Sequence, residues 1–172
     1  TNLTSITIPD GVTKIGYRAF QNCTNLTSIT IPDSVTEISA DAFTGTIWWQ
    51  NQPNFVIINK NYLHEYKGNK SVDTIPSGVT EIGESAFQGC ENLTSITIPD
   101  SVTEIGHYAF YGCSSLTSIT IPDSVIEIGN CAFQHSGLTS ITIPDGVTEI
   151  GDRTFFGCSN LTSITIPNNV TK

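Results

Sequence analysis

The chain has 172 residues and carries 16 acidic against 7 basic side chains, a net charge of −9. That length supports one domain with a sizeable core, and the negative charge repels a phosphate backbone, which argues against nucleic acid as a partner. An apolar fraction of 38% and a charged fraction of 13%, made up by Thr, Ser, Asn and Gly, suit neither a membrane-spanning protein nor a charge-rich disordered tail.

No run approaches the roughly 18 consecutive apolar residues of a membrane span, so direct membrane insertion is not expected. No signal-peptide pattern opens the chain, and methionine is absent. The sequence therefore reads as an excised piece of a longer protein.

An internal repeat dominates. The dipeptide Ile-Pro recurs with its isoleucine at positions 8, 31, 75, 98, 121, 143 and 166. All spacings are 22 or 23 residues except one of 44, between Ile31 and Ile75. Such a period is the mark of a solenoid: one unit cannot bury its apolar comb alone, and stacked units can.

Within a unit, taken from Leu93, the first predicted element is a strand around Ile96 and Ile98, where apolar residues alternate among Thr and Ser. Pro99 closes it because proline offers no N–H to a ladder, and Asp100-Ser101 supplies turn chemistry. A second short strand is predicted at Val102 to Ile105. Gly106 and its copies Gly16, Gly83, Gly129 and Gly151 are then expected to allow a tight or positive-φ corner. A short helical turn carrying Ala109-Phe110 completes the coil. Stacking superimposes Phe20, Phe87, Phe110, Phe133 and Phe155 in the core, together with Cys23, Cys90, Cys113 and Cys158, each three residues beyond the phenylalanine of its unit.

The long spacing marks an insert over residues 44–73. Thr46 to Gln52 is predicted as one or two helical turns stopped by Pro53, followed by strand, turn and strand over Phe55–Ile58, Asn59–Asn61 and Tyr62–Tyr66. The insert is read as a family variation within one domain spanning 1–172. Both tryptophans lie here. Trp48, Trp49, Tyr62 and Tyr66 either fill core space where a standard coil is missing or form an exposed binding anchor. Lys60, Lys67 and Lys70 make this the one locally basic stretch.

Sites for chemistry are sparse. The column cysteines are expected to be free thiols, since in-register side chains run parallel and do not face one another. Cys131 lies two residues before its phenylalanine, and is expected to be the exposed, reactive thiol if any is. His107, Cys131 and His135 approach across neighbouring coils, but a solvated or structural role outweighs a metal site. Glu37, Glu81, Glu104, Glu127 and Glu149 share one repeat position and should form a solvated acidic stripe, one step from weak Ca²⁺ binding. Neither a nucleophile with its base nor a phosphate loop is present, so neither catalysis nor a cofactor is expected. Asn2, Asn22, Asn25, Asn69, Asn92, Asn160 and Asn169 open glycosylation triplets that are by-products of the repeat.

The strand segment Leu93 to Ile98 resembles the leucine-rich repeat, and the Ile-Pro, Val-x-x-Ile-Gly and Ala-Phe-x-x-Cys marks are similar to those of its BspA-like subclass. The resemblance covers all but about residues 44–73. It implies a right-handed solenoid between α/β and mainly β, with parallel strands on one face, short second strands and short helical turns. It also implies a non-enzymatic interaction or adhesion module of a cell-surface or secreted protein, with a host or extracellular-matrix protein as partner.

Selectivity is expected from the insert or from the varied positions around the phenylalanines, chiefly His107, Tyr108, Tyr111 and Phe156. Two other readings stand beside this one: a rigid spacer presenting another domain, and an ice-binding Thr/Ser array on the strand face. Exposed end coils further suggest a homodimer or end-to-end stacking.

Overall fold

The computed structural model describes residues 2–39, 41–59 and 61–171. Lys60 and Ala40 therefore lie outside the described residues. The first coil carries strands β1 (Ser5–Thr7) and β2 (Lys14–Ile15), and the second β3 (Ser28–Thr30) and β4 (Glu37–Ile38). The insert contributes helix α1 (Ile47–Gln50) and strands β5 (Phe55–Ile58) and β6 (Tyr62–Tyr66). The remaining coils supply β7 (Val72–Thr74), β8 (Glu81–Ile82), β9 (Ser95–Thr97), β10 (Glu104–Ile105), β11 (Glu127–Ile128), β12 (Ser140–Thr142), β13 (Glu149–Ile150) and β14 (Ser163–Thr165).

Parallel pairing keeps identical repeat positions in register: Ile6 lies beside Ile29, Ile105 between Ile82 and Ile128, and Ile141 beside Ile164. The third side of each coil, which carries the phenylalanine, is pinned in the same way. Phe87 N donates to Ala109 O at 2.7 Å and Phe110 N to Ala132 O at 2.7 Å. These turns are hydrogen-bonded but not helical, unlike the short helical turns expected of every unit; α1 is the one helix among the described residues.

The hydroxyl-rich composition follows from this stacking. Ser34, Ser101 and Ser124 donate to the carbonyls of Val12, Val79 and Val102 one coil earlier. Thr27, Thr94, Thr139 and Thr162 do the same toward Thr4, Ser71, Thr117 and Thr139. Each hydroxyl adds a second rung beside the backbone ladder, where an alkyl side chain would add none. On this face the Ser-Ile-Thr strands pair as β1 with β3 and β12 with β14, β9 pairs with the Val-Asp-Thr strand β7, and a Thr97 to Thr120 bridge joins β9 to the next coil.

The longest sheet lies on the second side, in the order β13-β11-β10-β8-β6-β5. The insert joins it: β6 runs parallel to β8 with Tyr62 beside Glu81 and Leu63 beside Ile82, and β5 folds back antiparallel. The β5–β6 hairpin divides the core. Val56 and Ile58 belong to a cluster with Ile15, Ile38 and Phe43, whereas Phe55 and Ile57 pack on a larger cluster with Leu63, Phe87 and Phe110. A strand covered on both faces reads as an uninterrupted apolar run, as Phe55–Ile58 does.

The repeated glycines are not the left-handed residues. Gly16, Gly83, Gly106, Gly129 and Gly151 are absent from the positive-φ positions, which fall instead on Arg18, Asp41, Ser85, Tyr108, Cys131 and Arg153 at φ 56–60°. What Gly106 permits is close approach, since a Cβ there would lie 2.8 Å from Ile82 O.

In-register stacking also places like charges together. Burial first, and then the Glu104 and Glu127 charges, push the Glu81 carboxyl up to about 7, and Glu104 is raised by burial and by Glu127. The acidic stripe is thus half-buried at Glu81 and Glu104, while Glu127 is exposed.

Two outcomes follow for stability. Gly106→Ala should cost about 1–3 kcal/mol in urea unfolding through overpacking. Gly16→Ala at the same repeat position, where a Cβ meets nothing within 4 Å, should be neutral or stabilising by about 0.5 kcal/mol. Because the folded Glu81 carboxyl titrates above its unfolded value, its contribution is full below about pH 4.5 and is lost as pH rises through about 7. Glu81→Gln should therefore stabilise the chain at pH 8 relative to pH 4.5, by on the order of 1 kcal/mol after solvent screening is discounted, measured by denaturation at both pH values.

Candidate interaction surfaces

The sequence-derived aromatics separate into two groups. Trp49, Tyr62 and Tyr66 are buried and Trp48 is half-buried, so the exposed-anchor reading of the insert gives way to the core-filling one. The reason is local. Thr46 caps α1 by accepting from Trp49 N at 3.0 Å while donating to Phe43 O at 2.9 Å, which turns Trp49 into the smaller core cluster. Lys67 Nζ donates to Trp49 O and to Gln52 O at 3.1 Å, and stands 5.2 Å from the Trp49 ring centroid. The Lys67 ammonium is thus spent on closing the end of α1. Lys70 pairs with Asp73 at 3.3 Å.

Tyr66 takes the place of a repeat phenylalanine. Its ring lies 5.1 Å from that of Phe87, and its N–H donates to Ala86 O at 2.7 Å, the bond that Phe87 makes to Ala109. Phe87, Phe110 and Phe133 are fully buried, while Phe20 and Phe155 at the two outer coils are half-buried.

The second group is exposed. Tyr108, Tyr111, His135 and Phe156 form a row across three coils, with successive ring centroids 5.9, 5.7 and 5.7 Å apart and edges meeting faces. Phe156 is 60% exposed and Tyr108 39%. The backbone beneath is fixed, with Tyr108 N bonded to Asn130 O at 2.9 Å and His135 N to Phe156 O at 2.9 Å. His107 is exposed, yet its Nδ1 accepts from Asn130 N at 2.8 Å, and Asn130 Oδ1 accepts in turn from Asp152 N at 2.7 Å. Its ring therefore caps the next coil and stays outside the aromatic row.

All five cysteines are free. Cys113 donates to Phe87 O at 3.1 Å and Cys158 to Phe133 O at 3.0 Å, and burial pushes the Cys113 thiol up to about 12 and that of Cys90 to about 11. Cys113 is fully buried, whereas Cys23, Cys90 and Cys158 are half-buried. Cys131 is buried as well, which overturns its expected exposure. It occupies a left-handed backbone position and its thiol interacts with the Tyr108 side chain. His107, Cys131 and His135 do not converge: among the described residues no group of three or more His, Cys, Asp or Glu side chains is placed to hold a metal ion.

A feature that residue types alone did not reveal lies at the insert. In every regular coil five residues carry the chain from the second-strand isoleucine to the phenylalanine, as from Ile82 to Phe87, whereas only three lead from Leu63 to Tyr66. The shortened turn leaves a notch of about 390 Å³ between neighbouring coils. Asp41, His64, Glu65, Glu84, Ser85 and Gln88 are among the residues that line it. Burial, and then the Asp41 charge, push the Glu65 carboxyl up to about 7. His64 is buried among Phe43 and Trp49, which holds its imidazole down to about 4 and so neutral. The spacing anomaly was the available signal.

The model of the BspA type leucine-rich repeat region matches six copies over residues 1–90 and 56–172. A leucine-rich cell surface protein from Faecalibacterium prausnitzii A2-165 is 30% identical, with a TM-score of 0.68 over 98% of this chain and 55% of its own. A leucine-rich repeat protein from Bacteroides ovatus is 33% identical, with a TM-score of 0.50 over 96% of this chain and 50% of its own. The T. pallidum leucine-rich repeat protein is 30% identical, with a TM-score of 0.55 over 98% of this chain and 72% of its own. The chain thus spans about half the length of the first two. No curated protein matches it. No helix among the described residues is long and apolar enough to cross a membrane. Repeat spacing, in-register strands and these likenesses agree: the chain belongs to the BspA type leucine-rich repeat family.

Proposed function

We propose that the chain is a non-enzymatic protein-interaction module of a cell-surface or secreted protein, with the row Tyr108, Tyr111, His135 and Phe156 as its anchor for a host or extracellular-matrix protein. The observation that carries this reading is the row itself. Four rings stand exposed or half-exposed on a backbone that is hydrogen-bonded coil to coil. Large, rigid aromatic side chains lose little entropy on binding and dominate interface energetics. The burial of Trp49, Tyr62 and Tyr66 removes these aromatics of the insert from that role. The cell-surface description of the F. prausnitzii relative supports the location. Adhesion is the form of interaction that the family resemblance implies.

The spacer reading predicts the opposite behaviour, because a spacer presents no anchor. The test is capture of the chain by immobilised extracellular-matrix proteins. The double variant Tyr108→Ser, Phe156→Ser should bind its matrix protein about tenfold more weakly or worse, with unfolding unchanged. Undiminished binding by that variant would remove the row from the interface, and capture by no matrix protein would favour the spacer.

A further inference from the structure

Among the described residues, three carboxyl groups and no lysine or arginine line the notch at the insert. The carboxyls belong to Asp41, Glu65 and Glu84. The cations nearest to it are largely committed. Lys67 holds the carbonyls at the end of α1, and Arg18 reaches Asp41 Oδ2 at 3.4 Å from its outer side. Asp41 Oδ1 accepts from Thr44 Oγ1 at 3.1 Å. Among the described residues, neither Glu65 nor Glu84 is held in an ion pair.

Independent of these charges, His64 lines the notch at 2% exposure and its Nδ1 has no hydrogen-bond partner. A buried imidazole nitrogen left without a partner costs about 1–3 kcal/mol.

The acidic groups do not converge as metal ligands do. Separated acceptors are matched by a polyatomic cation that spreads several donors across them. A guanidinium fits that description: it is planar, permanently charged, rich in donors and weakly hydrated, and it stacks on aromatic rings. An ammonium presents one compact charge and reaches fewer of these groups at once.

We propose that the notch between Asp41, Glu65 and Glu84 is a receptor site for an arginine side chain of a protein partner. The site rests on the reading of the chain as an interaction module and adds the chemistry of what it receives. It is separate from the aromatic row, which stands on later coils.

The test is titration of the isotope-labelled chain with acetyl-Gly-Arg-Gly-amide, followed by amide chemical shifts, with the citrulline peptide in parallel. Citrulline keeps the shape and removes the charge. Saturable shifts should be confined to Asp41, His64, Glu65 and the Glu84 to Gln88 turn, and the citrulline peptide should bind about tenfold more weakly. Glu65→Gln and Glu84→Gln should each weaken the arginine peptide by a similar factor, while Glu127→Gln, on the acidic column, should leave it unchanged. Unperturbed shift dispersion in each variant establishes folding. Equal binding of citrulline, shifts spread along the glutamate column, or no saturable shift at millimolar peptide would overturn the site. The Tyr108→Ser, Phe156→Ser variant should still bind the arginine peptide. Loss of matrix-protein capture alone therefore bears on the aromatic row, and loss of peptide binding alone bears on the notch.

Discussion

Register is the constraint from which the rest of the structure follows. Parallel strands one coil apart place each residue beside its own copy, so every repeat position is tested against itself. For phenylalanine the test succeeds: the ring pairs Phe20–Phe43, Phe87–Phe110, Phe110–Phe133 and Phe133–Phe155 lie nearly parallel at 4.8–5.8 Å, an offset stack that adds to the burial of large apolar surface. For glycine the same constraint sets an upper size, because the preceding coil lies where a Cβ at Gly106, Gly129 or Gly151 would be. For glutamate it works against stability, and the carboxyl of Glu81 is pushed up by burial and by its own copies. Lys14, which replaces glutamate in the first coil, pairs with Glu37 on the separate β2–β4 sheet.

The insert is instructive because it breaks the period without breaking the ladder. Tyr62 and Leu63 enter the second-side sheet at the positions of Glu81 and Ile82, and Tyr66 resumes the aromatic column. A coil has been replaced by a hairpin that meets one core cluster with one face and the other cluster with its opposite face. Such a partition requires a strand that is apolar throughout and aromatic filler on both sides, which Phe55–Ile58 with Trp49 and Tyr66 supply. The tryptophans are where they are because the hairpin closes the core with less chain than a regular coil provides.

Most of the fold was legible in the sequence, since a 22–23-residue period and a comb of Leu, Ile, Val and Phe leave few ways to bury the apolar positions. The strand, turn, strand order of the insert was legible as well, because Asn59–Asn61 interrupts two β-branched and aromatic runs. The burial of its tryptophans was not. Aromatic side chains serve cores and interfaces equally well, and composition does not separate the two. Nor was the conformation of the corner, where glycine invited a left-handed assignment that belongs to Arg18, Asp41, Ser85, Tyr108, Cys131 and Arg153. Glycine answers to close approach as well as to positive φ, and sequence alone does not say which. The notch was hidden for a different reason: it is an absence of two residues in a turn, visible only once Tyr66 is recognised as the counterpart of Phe87.

That left-handed corner also bears on where variation can accumulate. Its side chains face the next coil's turn or solvent, while the strand-side threonine and serine hydroxyls are engaged with carbonyls one coil away. Changing a threonine there removes a rung from the ladder. Changing a corner residue alters what the surface offers and leaves the ladder intact, since its contribution comes through the backbone N–H, as when Ser85 N donates to His107 O and Tyr108 N to Asn130 O. Residues as unlike as Arg18, Ser85 and Tyr108 are accommodated because the solenoid asks only for their main chain. The surface chemistry of this chain is therefore written on the corners and at the one turn that is cut short, and the uniform strand face serves the stacking that holds both in place.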